Sequence, residues 1–205
     1  MPLFVDACAT GARLPLPDGW AAAALSAHKW GGPPGVGVLL VRKGARWRSP
    51  FPTDDRVDPR SPGFENVPAA LGAAAALQVR VTERAEMAER HRNLTDRLRA
   101  VLTQVPDVEL HGHPDHRLPH LVSFSCLYVD GEALVTELDK RGWSVASGSA
   151  CTSSALEPSH VLVAMGALTH GNARVTLARD TTAAEVDALA GALPEVVAEL
   201  RGRLP

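Results

Sequence analysis

Short apolar runs alternate with stretches of helical periodicity along most of the chain. Residues 3–5, 22–25 and 36–41 form apolar runs of strand length, and connections rich in glycine and proline separate them. Residues 42–63 are polar, irregular and rich in proline, which predicts a long surface loop. Strands that alternate with helices in this way are typical of an α/β protein.

Helical spacing begins near Val67 and predicts one long amphipathic helix over residues 67–104. A compact unit follows, with an apolar strand over residues 120–126, a helix over 131–141 that Gly142 ends, and a strand over 143–146. One face of the long helix carries residues spaced by three or four: Met87, His91, Leu94, Leu98 and Val101.

The last element opens with a helix-start signal. Thr182 is followed three residues later by Glu185, which predicts a capping box. Pro194 lacks a backbone N–H donor and is expected to break or kink this helix. Apolar residues share one face of it: Val186, Leu189, Leu193, Val197 and Leu200.

This order of elements predicts two α/β domains. Residues 1–66 are expected to form part of a large domain with a mostly parallel sheet, residues 67–104 a connecting helix, and residues 105–205 a small carboxyl-terminal domain. About three strands with almost no covering helix cannot close a doubly wound sheet, so more of the first domain is expected upstream. The apolar sheet edge left open predicts association with another chain.

Composition and charge argue against two classes of partner. The chain has 205 residues, 45% of them hydrophobic, and a formal net charge of -2 at pH 7. This charge gives no long-range field for nucleic acid or an anionic membrane, and no apolar stretch reaches the roughly 20 residues that span a bilayer. Three cysteines are few, and their number is odd, which argues against a disulfide framework. The sequence therefore favours free thiols in a cytoplasmic protein.

Cys151 has an unusual setting for a thiol. It lies in the segment from Ser147 to Ser154, where every other residue is small and most carry a hydroxyl group. Free cysteine is normally among the most buried residue types, so a cysteine on such a loop suggests a reactive sulfur. An inert loop thiol is the alternative. Cys8 and Cys126 lie in or beside apolar strands and are interpreted as structural.

Lys29 lies between two predicted strands, in a loop of restricted shape. Ser26 and His28 precede it, and the glycine- and proline-rich segment 31–37 follows. A lysine held in such a loop could form a Schiff base, whereas a solvated surface lysine is the plain alternative. The glycines are not a phosphate-binding P-loop, because no Gly-Lys-Ser/Thr sequence follows them.

Four histidines in a short stretch raise the question of a metal site. His111, His113, His116 and His120 have irregular spacing, and Pro114 interrupts them. A polar loop fits this pattern better than zinc ligands do, so no metal site is predicted.

Taken together, these segments resemble the pyridoxal-phosphate-dependent cysteine desulfurases of the class V aminotransferase superfamily. The resemblance covers essentially all 205 residues and is to the carboxyl-terminal part of the family. The cysteine loop is its most specific part. The matching segments, in the family's order, are Val5-Asp6-Ala7, Leu25-Ser26-Ala27-His28-Lys29 with Gly31-Gly32-Pro33, Glu65-Asn66-Val67-Pro68, Arg117-Leu118-Pro119-His120, Ser147 to Ser159, and Asn172-Ala173-Arg174 with Thr181-Thr182.

The resemblance implies that four residues bind pyridoxal 5'-phosphate. Lys29 would carry the cofactor covalently and later move the substrate's α-proton. Asp6 would pair with the pyridine nitrogen and keep it protonated. Ser26 and His28 would help to hold the phosphate. Without the resemblance, Asp6 is equally well explained as a strand-end or helix-capping residue.

The resemblance also implies a substrate and a nucleophile. Arg174 would bind the carboxylate of L-cysteine with its planar pair of donors, although a plain surface charge is the alternative. The Cys151 thiolate would attack the substrate's sulfur, release L-alanine and hold a persulfide for transfer to a sulfur-acceptor protein. Such sulfur serves iron–sulfur cluster assembly or tRNA thiolation. A homodimer or a complementing amino-terminal chain is expected.

Some residues depart from the family's pattern. The family has roughly another half-chain before the first strand, with a histidine that stacks on the cofactor. Ala9 stands where a glutamine is expected to reach the cofactor's phenolic oxygen, and Phe64 where a threonine is expected to reach its phosphate across a dimer. Three hypotheses therefore stay open: part of a cysteine desulfurase, a relative without catalysis that binds partners, and a carrier of persulfide on Cys151.

Overall fold

The computed structural model describes residues 1–50, 52, 55–56, 63–148 and 159–203. The chain divides into two compact units, unit 1 over Met1–Glu86 and unit 2 over Met87–Pro205. Each unit has its own three-stranded sheet, and helices accompany both. The expected α/β class is confirmed.

The sheet of unit 1 contains strands β1 (Leu3–Asp6), β2 (Trp20–Ser26) and β3 (Gly37–Val41), in that order. All three strands were predicted from their apolar runs. β1 and β2 are parallel, whereas β2 and β3 are antiparallel. The expected parallel sheet is thus found in one of the two strand pairs, because the short connection from β2 to β3 returns the chain alongside itself.

A 3₁₀ turn over Ala27–Trp30 follows β2 and packs against helix α1 (Val67–Thr82). Trp30 is 2% exposed, and its Nε1 donates to the Ala73 carbonyl at 3.1 Å. The Asn66 side chain accepts a hydrogen bond from the Ala69 N–H and caps the start of α1. The turn that carries Lys29 is therefore fixed against a helix.

The long helix expected over residues 67–104 is two helices, α1 and α2 (Arg84–Leu102). They are separated at Glu83, whose ψ of -4° departs from helical geometry. The Glu83 N–H still donates to the Val79 carbonyl at 3.0 Å, so the last turn of α1 remains bonded.

Unit 2 contains an antiparallel sheet of strands β4 (Val108–Leu110), β5 (Leu121–Cys126) and β6 (Asn172–Thr176). Its helices are most of α2, then α3 (Gly131–Lys140), α4 (His160–Met165) and α5 (Ala183–Gly202). Residues of α2, α3, α5, β5 and β6 share one hydrophobic core. Its fully buried members include Leu98, Leu102, Val122, Phe124, Leu134, Leu138 and Leu193.

One prediction for unit 2 was wrong, and of the break or kink expected at Pro194 the break is not found. The strand expected over residues 143–146 is a single bridge between Ala146 and Arg174. α5 runs through Pro194 without a break. Leu193 and Val196 on either side of the proline are fully buried, and this packing outweighs the loss of one helical hydrogen bond.

The capping box of α5 is confirmed. Thr182 Oγ1 accepts a hydrogen bond from the Glu185 N–H at 3.2 Å, and the Glu185 carboxylate accepts one from the Thr182 N–H at 2.7 Å. Strands β4 and β6 and helix α4 were not predicted. Within the described part of the chain, no helix has both the length and the apolar character needed to cross a membrane.

Candidate functional site

Asp6 is the last residue of β1 and is exposed. Its Oδ1 accepts a hydrogen bond from the backbone N–H of Cys8 at 3.0 Å. This bond lowers the pKa of Asp6, as does a further hydrogen bond with the Cys8 side chain, and the charge of Lys29 lowers it less. Asp6 is therefore a stable anion at the end of the strand.

Ser26 ends β2, the parallel neighbour of β1. Because the carboxyl ends of parallel strands lie at one edge of a sheet, Ser26 and Asp6 share that edge, where α/β proteins bind ligands. Ser26 Oγ lies 2.9 Å from His28 Nδ1, so the hydroxyl and the imidazole form a hydrogen-bonded pair. The pair offers polar groups at the start of the 3₁₀ turn.

Lys29 belongs to that same turn and is exposed. Its amine makes no hydrogen bond or ion pair with any described residue, whereas its backbone carbonyl accepts a hydrogen bond from Arg13 at 2.9 Å. Gly31 ends the turn with a φ of 89°, a conformation that favours glycine. The backbone of Lys29 is held, and its amine is free to react.

Arg174 lies on β6 in unit 2, opposite Ser123 of β5. Its backbone N–H and carbonyl both bond to Ala146, at 2.7 and 3.1 Å. The Nε atom is buried and has no hydrogen-bond partner among the described residues. An unpaired buried donor costs free energy, so this guanidinium is suited to an anionic ligand.

The predicted nucleophile, Cys151, lies outside the described residues, and its role stays a prediction. The last described residue before it in the sequence is Gly148, whose N–H donates to Asn172 Oδ1 at 3.3 Å. Cys8 and Cys126 are free thiols. Cys126 is buried, and burial raises its pKa to about 11, which fits the structural role predicted for it. Cys8 is half-buried beside Asp6, which raises its pKa.

The histidine-rich stretch 111–120 is the loop between β4 and β5, as predicted, but its histidines differ in burial. His111 and His120 are buried, whereas His113 and His116 are exposed with their ring centroids 4.6 Å apart. His111 Nδ1 lies 3.2 Å from Ser123 Oγ. Among the described residues, no three His, Cys, Asp or Glu side chains are placed so that they could hold a metal ion together.

Two residues near Lys29 were missed by the sequence analysis. Arg13 binds the Lys29 carbonyl, and Arg80 Nε donates to the Trp30 carbonyl at 3.0 Å. Each contact joins positions far apart in the chain, 16 and 50 residues respectively, so no local pattern predicts it.

Known proteins are similar to this chain in sequence and in fold. Residues 19–189 match the family model described as Aminotransferase class-V. The chain belongs to this family. Similar curated class-V relatives are a cysteine desulfurase of Trichormus azollae, 38% identical over 185 residues, and the cysteine desulfurase NifS of Azotobacter vinelandii, 39% identical over 190 residues. Both matches cover 88% of this chain and 46% of the relative.

Solved structures of the class-V fold agree. A NifS-like protein superposes with a TM-score of 0.82 at 28% identity, covering 97% of this chain and 53% of its own. The cysteine desulfurase CsdA of Escherichia coli has the same fold, with a TM-score of 0.76 at 21% identity. The chain thus spans about half the length of the relatives that it matches.

Class-V aminotransferases use pyridoxal 5'-phosphate, and the edge formed by β1 and β2 fits this group chemically. Lys29 supplies a primary amine free to bind the cofactor's aldehyde carbon. Asp6 supplies a carboxylate with a lowered pKa, which suits a protonated pyridine nitrogen. Ser26 and His28 supply a hydroxyl and an imidazole for the phosphate.

Proposed function

We propose that this chain forms the part of a cysteine desulfurase that holds pyridoxal phosphate and accepts sulfur. The observation that carries the proposal is that Asp6, Ser26, His28 and Lys29 meet at the carboxyl edge of the parallel strand pair. These four groups match the aldehyde, pyridine and phosphate parts of the cofactor. The identity of 38% to 39% with curated cysteine desulfurases supports the same reaction.

The substrate of the proposed reaction is L-cysteine. When bound, pyridoxal phosphate supplies an electron sink for the carbons next to the substrate's amino group. Arg174 binds the substrate carboxylate through its guanidinium, and its unpaired buried Nε supports such a role. Lys29 moves the proton at the α-carbon.

In the proposed sulfur transfer, Cys151 is the nucleophile. Its thiolate forms an S–S bond with the substrate's sulfur, and the substrate's C–S bond breaks. The electron pair of that bond remains with the carbon, which takes up a proton and leaves as L-alanine. Cys151 retains the persulfide and passes it to an acceptor protein, for iron–sulfur cluster assembly or tRNA thiolation.

The sequence makes the cofactor step simple to test, because it contains only three lysines, Lys29, Lys43 and Lys140. Purified protein is incubated with pyridoxal phosphate and reduced with borohydride, and the modified lysine is identified by peptide mass mapping. We expect the label on Lys29 in preference to the other two. A Lys29→Ala variant tests the assignment. Equal labelling of all three lysines would contradict cofactor binding at this edge.

The sulfur step has its own measurement. Release of L-alanine from L-cysteine should require Cys151 and should disappear in Cys151→Ser, while labelling of Lys29 persists in that variant. Because the relatives are about twice as long, the assay is run with and without a chain that supplies the rest of a class-V fold. Alanine release that survives Cys151→Ser would disprove the assigned nucleophile.

A second candidate function is a persulfide carrier or partner-binding module without its own catalysis. Two substitutions favour it: Ala9 cannot hydrogen-bond a cofactor, and Phe64 is 83% exposed and has no hydroxyl group. Persulfide on Cys151 only after a separate donor enzyme is added would support the carrier. Alanine release by the chain itself would exclude both.

We also propose that unit 1 associates, as a homodimer or with a complementing chain. Large hydrophobic side chains are exposed on β1 and on and before α1, among them Leu3, Phe4, Phe64, Val67 and Leu71. Apolar surface of this kind is typical of interfaces. Light scattering over a range of concentrations tests it, and a stable monomer would contradict it. A cytoplasmic location, supported by the sparse cysteines, completes the proposal.

A further inference from the structure

The backbone carbonyls of the 3₁₀ turn Ala27–Trp30 are all hydrogen-bonded, but in two different ways. The first two accept bonds from the chain that follows: Gly32 N–H donates to the Ala27 carbonyl at 3.0 Å, and Gly31 N–H donates to the His28 carbonyl at 3.4 Å. The last two carbonyls, at Lys29 and Trp30, accept from arginine side chains instead. The turn therefore depends on two groups from elsewhere in unit 1.

Arg13 holds the carbonyl of the lysine itself. Its Nη1 donates to the Lys29 carbonyl at 2.9 Å and also reaches the Ala9 carbonyl at 3.4 Å. Arg13 thus joins the segment after β1, which begins with Asp6, to the turn after β2. One side chain links the backbones of the two segments that present the carboxylate and the amine.

Arg80 holds the next carbonyl from the other side. It is presented by α1, seven residues after Ala73, so the two positions share a face of that helix. Ala73 accepts the Trp30 Nε1 hydrogen bond, and its Cα lies 3.1 Å from where a Cβ on Gly32 would be. α1 therefore fixes the residue that follows Lys29 through both its backbone and its indole ring.

The arrangement has an electrostatic cost. Burial lowers the pKa of Arg13, and the charge of Arg80 lowers it further. Neither guanidinium forms an ion pair within the described residues. Two neighbouring cations without an acidic partner repel each other, whereas neutral donors would bond the same carbonyls without this repulsion. Stability alone therefore does not explain why both donors are arginines.

We propose that Arg13 and Arg80 are positioning residues for Lys29. They hold the two carbonyls that the turn leaves unbonded and so fix the backbone that carries the Lys29 amine. The inference rests on the proposed function of Lys29 as the cofactor lysine. Neither arginine needs to touch the cofactor for this role.

The main test compares Lys29 with Lys43 inside the same molecule. Each variant is incubated briefly with pyridoxal phosphate, reduced with borohydride and mapped, and the ratio of label on Lys29 to label on Lys43 is measured. Since small misplacements of a reacting group can cost about a hundredfold in rate, we expect Arg13→Ala to lower this ratio about tenfold. Arg80→Ala should lower it in the same direction.

Two control variants separate positioning from general loss of structure. Arg13→Lys keeps one donor and one charge and should restore part of the ratio. Arg201 in unit 2 also donates to backbone carbonyls, those of Leu127 at 3.0 Å and Pro106 at 2.9 Å. Arg201→Ala should leave the ratio unchanged. An unchanged ratio in Arg13→Ala, or an equal fall in Arg201→Ala, would overturn the proposal.

A second measurement does not depend on cofactor binding. Hydrogen exchange of the Gly31 and Gly32 amides, whose bonds close the turn, should become faster in Arg13→Ala and return toward the original rate in Arg13→Lys. If pyridoxal phosphate does not label Lys29 in preference to Lys43 in the protein without substitutions, the proposed function fails. The exchange of the Gly31 and Gly32 amides still decides whether Arg13 holds the turn. Unchanged exchange in Arg13→Ala would then overturn the positioning role.

Discussion

Two phenylalanines show how differently the two units bury hydrophobic surface. Phe124 in unit 2 is fully buried in a core to which three helices and two strands contribute. Phe4 in unit 1 is 60% exposed on a strand at the edge of its sheet. The buried hydrophobic cluster of unit 1, within the residues described, consists of Ala27, Trp30 and Ala73.

The larger hydrophobic core therefore lies in unit 2, whereas the proposed cofactor-binding residues lie in unit 1. Unit 2 has a hydrophobic core shared by helices and strands, and it presents Arg174 on a strand that contributes to this core. Unit 1 presents Asp6, Ser26, His28 and Lys29 on a scaffold whose small core lies between one turn and one helix. We therefore expect the stability of unit 1 to depend on bound cofactor and on association, since ligands that bind only the folded state stabilise it.

The largest expected effect distinguishes the two cores. Phe124→Ala should destabilise unit 2 by about 3–5 kcal/mol, because it removes a large buried side chain and leaves a cavity. Phe4→Ala, measured at a protein concentration too low for association, is the matched control and should change stability by less than about 0.5 kcal/mol, since Phe4 is 60% exposed. Urea unfolding, followed by hydrogen exchange of peptides from each unit, measures both. A similar loss in the two variants would remove the distinction between the units.

A smaller effect tests whether one contact holds unit 1 together. In Gly32→Ala the new Cβ would lie 3.1 Å from Ala73 Cα and from Ala27 Cβ, closer than carbon atoms normally approach. We expect a loss of about 1–3 kcal/mol in unit 1, because α1 must move away from the turn. Gly37→Ala, with its nearest neighbour at 3.6 Å, is the control. Faster exchange in α1 for Gly32→Ala alone would confirm the contact.

The smallest effect concerns the pH dependence of unit 2. Burial lowers the pKa of His111, so the unfolded chain takes up a proton at a higher pH than the folded chain does. The stability that neutral His111 contributes is present above its ordinary pKa and is lost as the pH falls toward its folded pKa.

Unit 2 should therefore unfold at lower urea at about pH 5.5 than at about pH 7, and His111→Gln should reduce that difference. Hydrogen exchange of peptides from unit 2, measured over a range of urea concentrations, follows the transition. His170→Gln, which removes an exposed imidazole from the same unit, should keep the full difference. An unchanged pH difference in His111→Gln would contradict this explanation.

Local patterns predicted the elements that depend on local physics. The apolar runs gave β1, β2 and β3, and the spacing of Thr182 and Glu185 gave the start of α5. β6 carried a usable signal that was missed: Ala173 and Val175 are buried and alternate with less buried polar residues. Its period of two is the ordinary signature of a half-buried strand.

The remaining features depend on contacts between distant parts of the chain. Pro194 is tolerated because core residues on both sides of it are buried, and the sequence around the proline does not reveal that packing. Asp6 and Lys29 could be named from their segments, but the support of Arg13 and Arg80 could not. Their hydrogen bonds exist only once the strands and α1 are packed.

The bridge between Ala146 and Arg174 connects the start of the segment that contains Cys151 to the strand that carries the proposed substrate-binding arginine. Ala146 immediately precedes the segment that contains Cys151, and its two backbone bonds go to the arginine itself. A shift of one residue in this pairing would turn the side chain on the shifted strand to the opposite face of the sheet. This one pair of backbone hydrogen bonds therefore sets both where the segment with Cys151 begins and which face of the sheet carries the Arg174 side chain. If a residue were inserted between Gly142 and Ala146, either the Ala146–Arg174 pairing would be kept or the start of the segment would move away from Arg174.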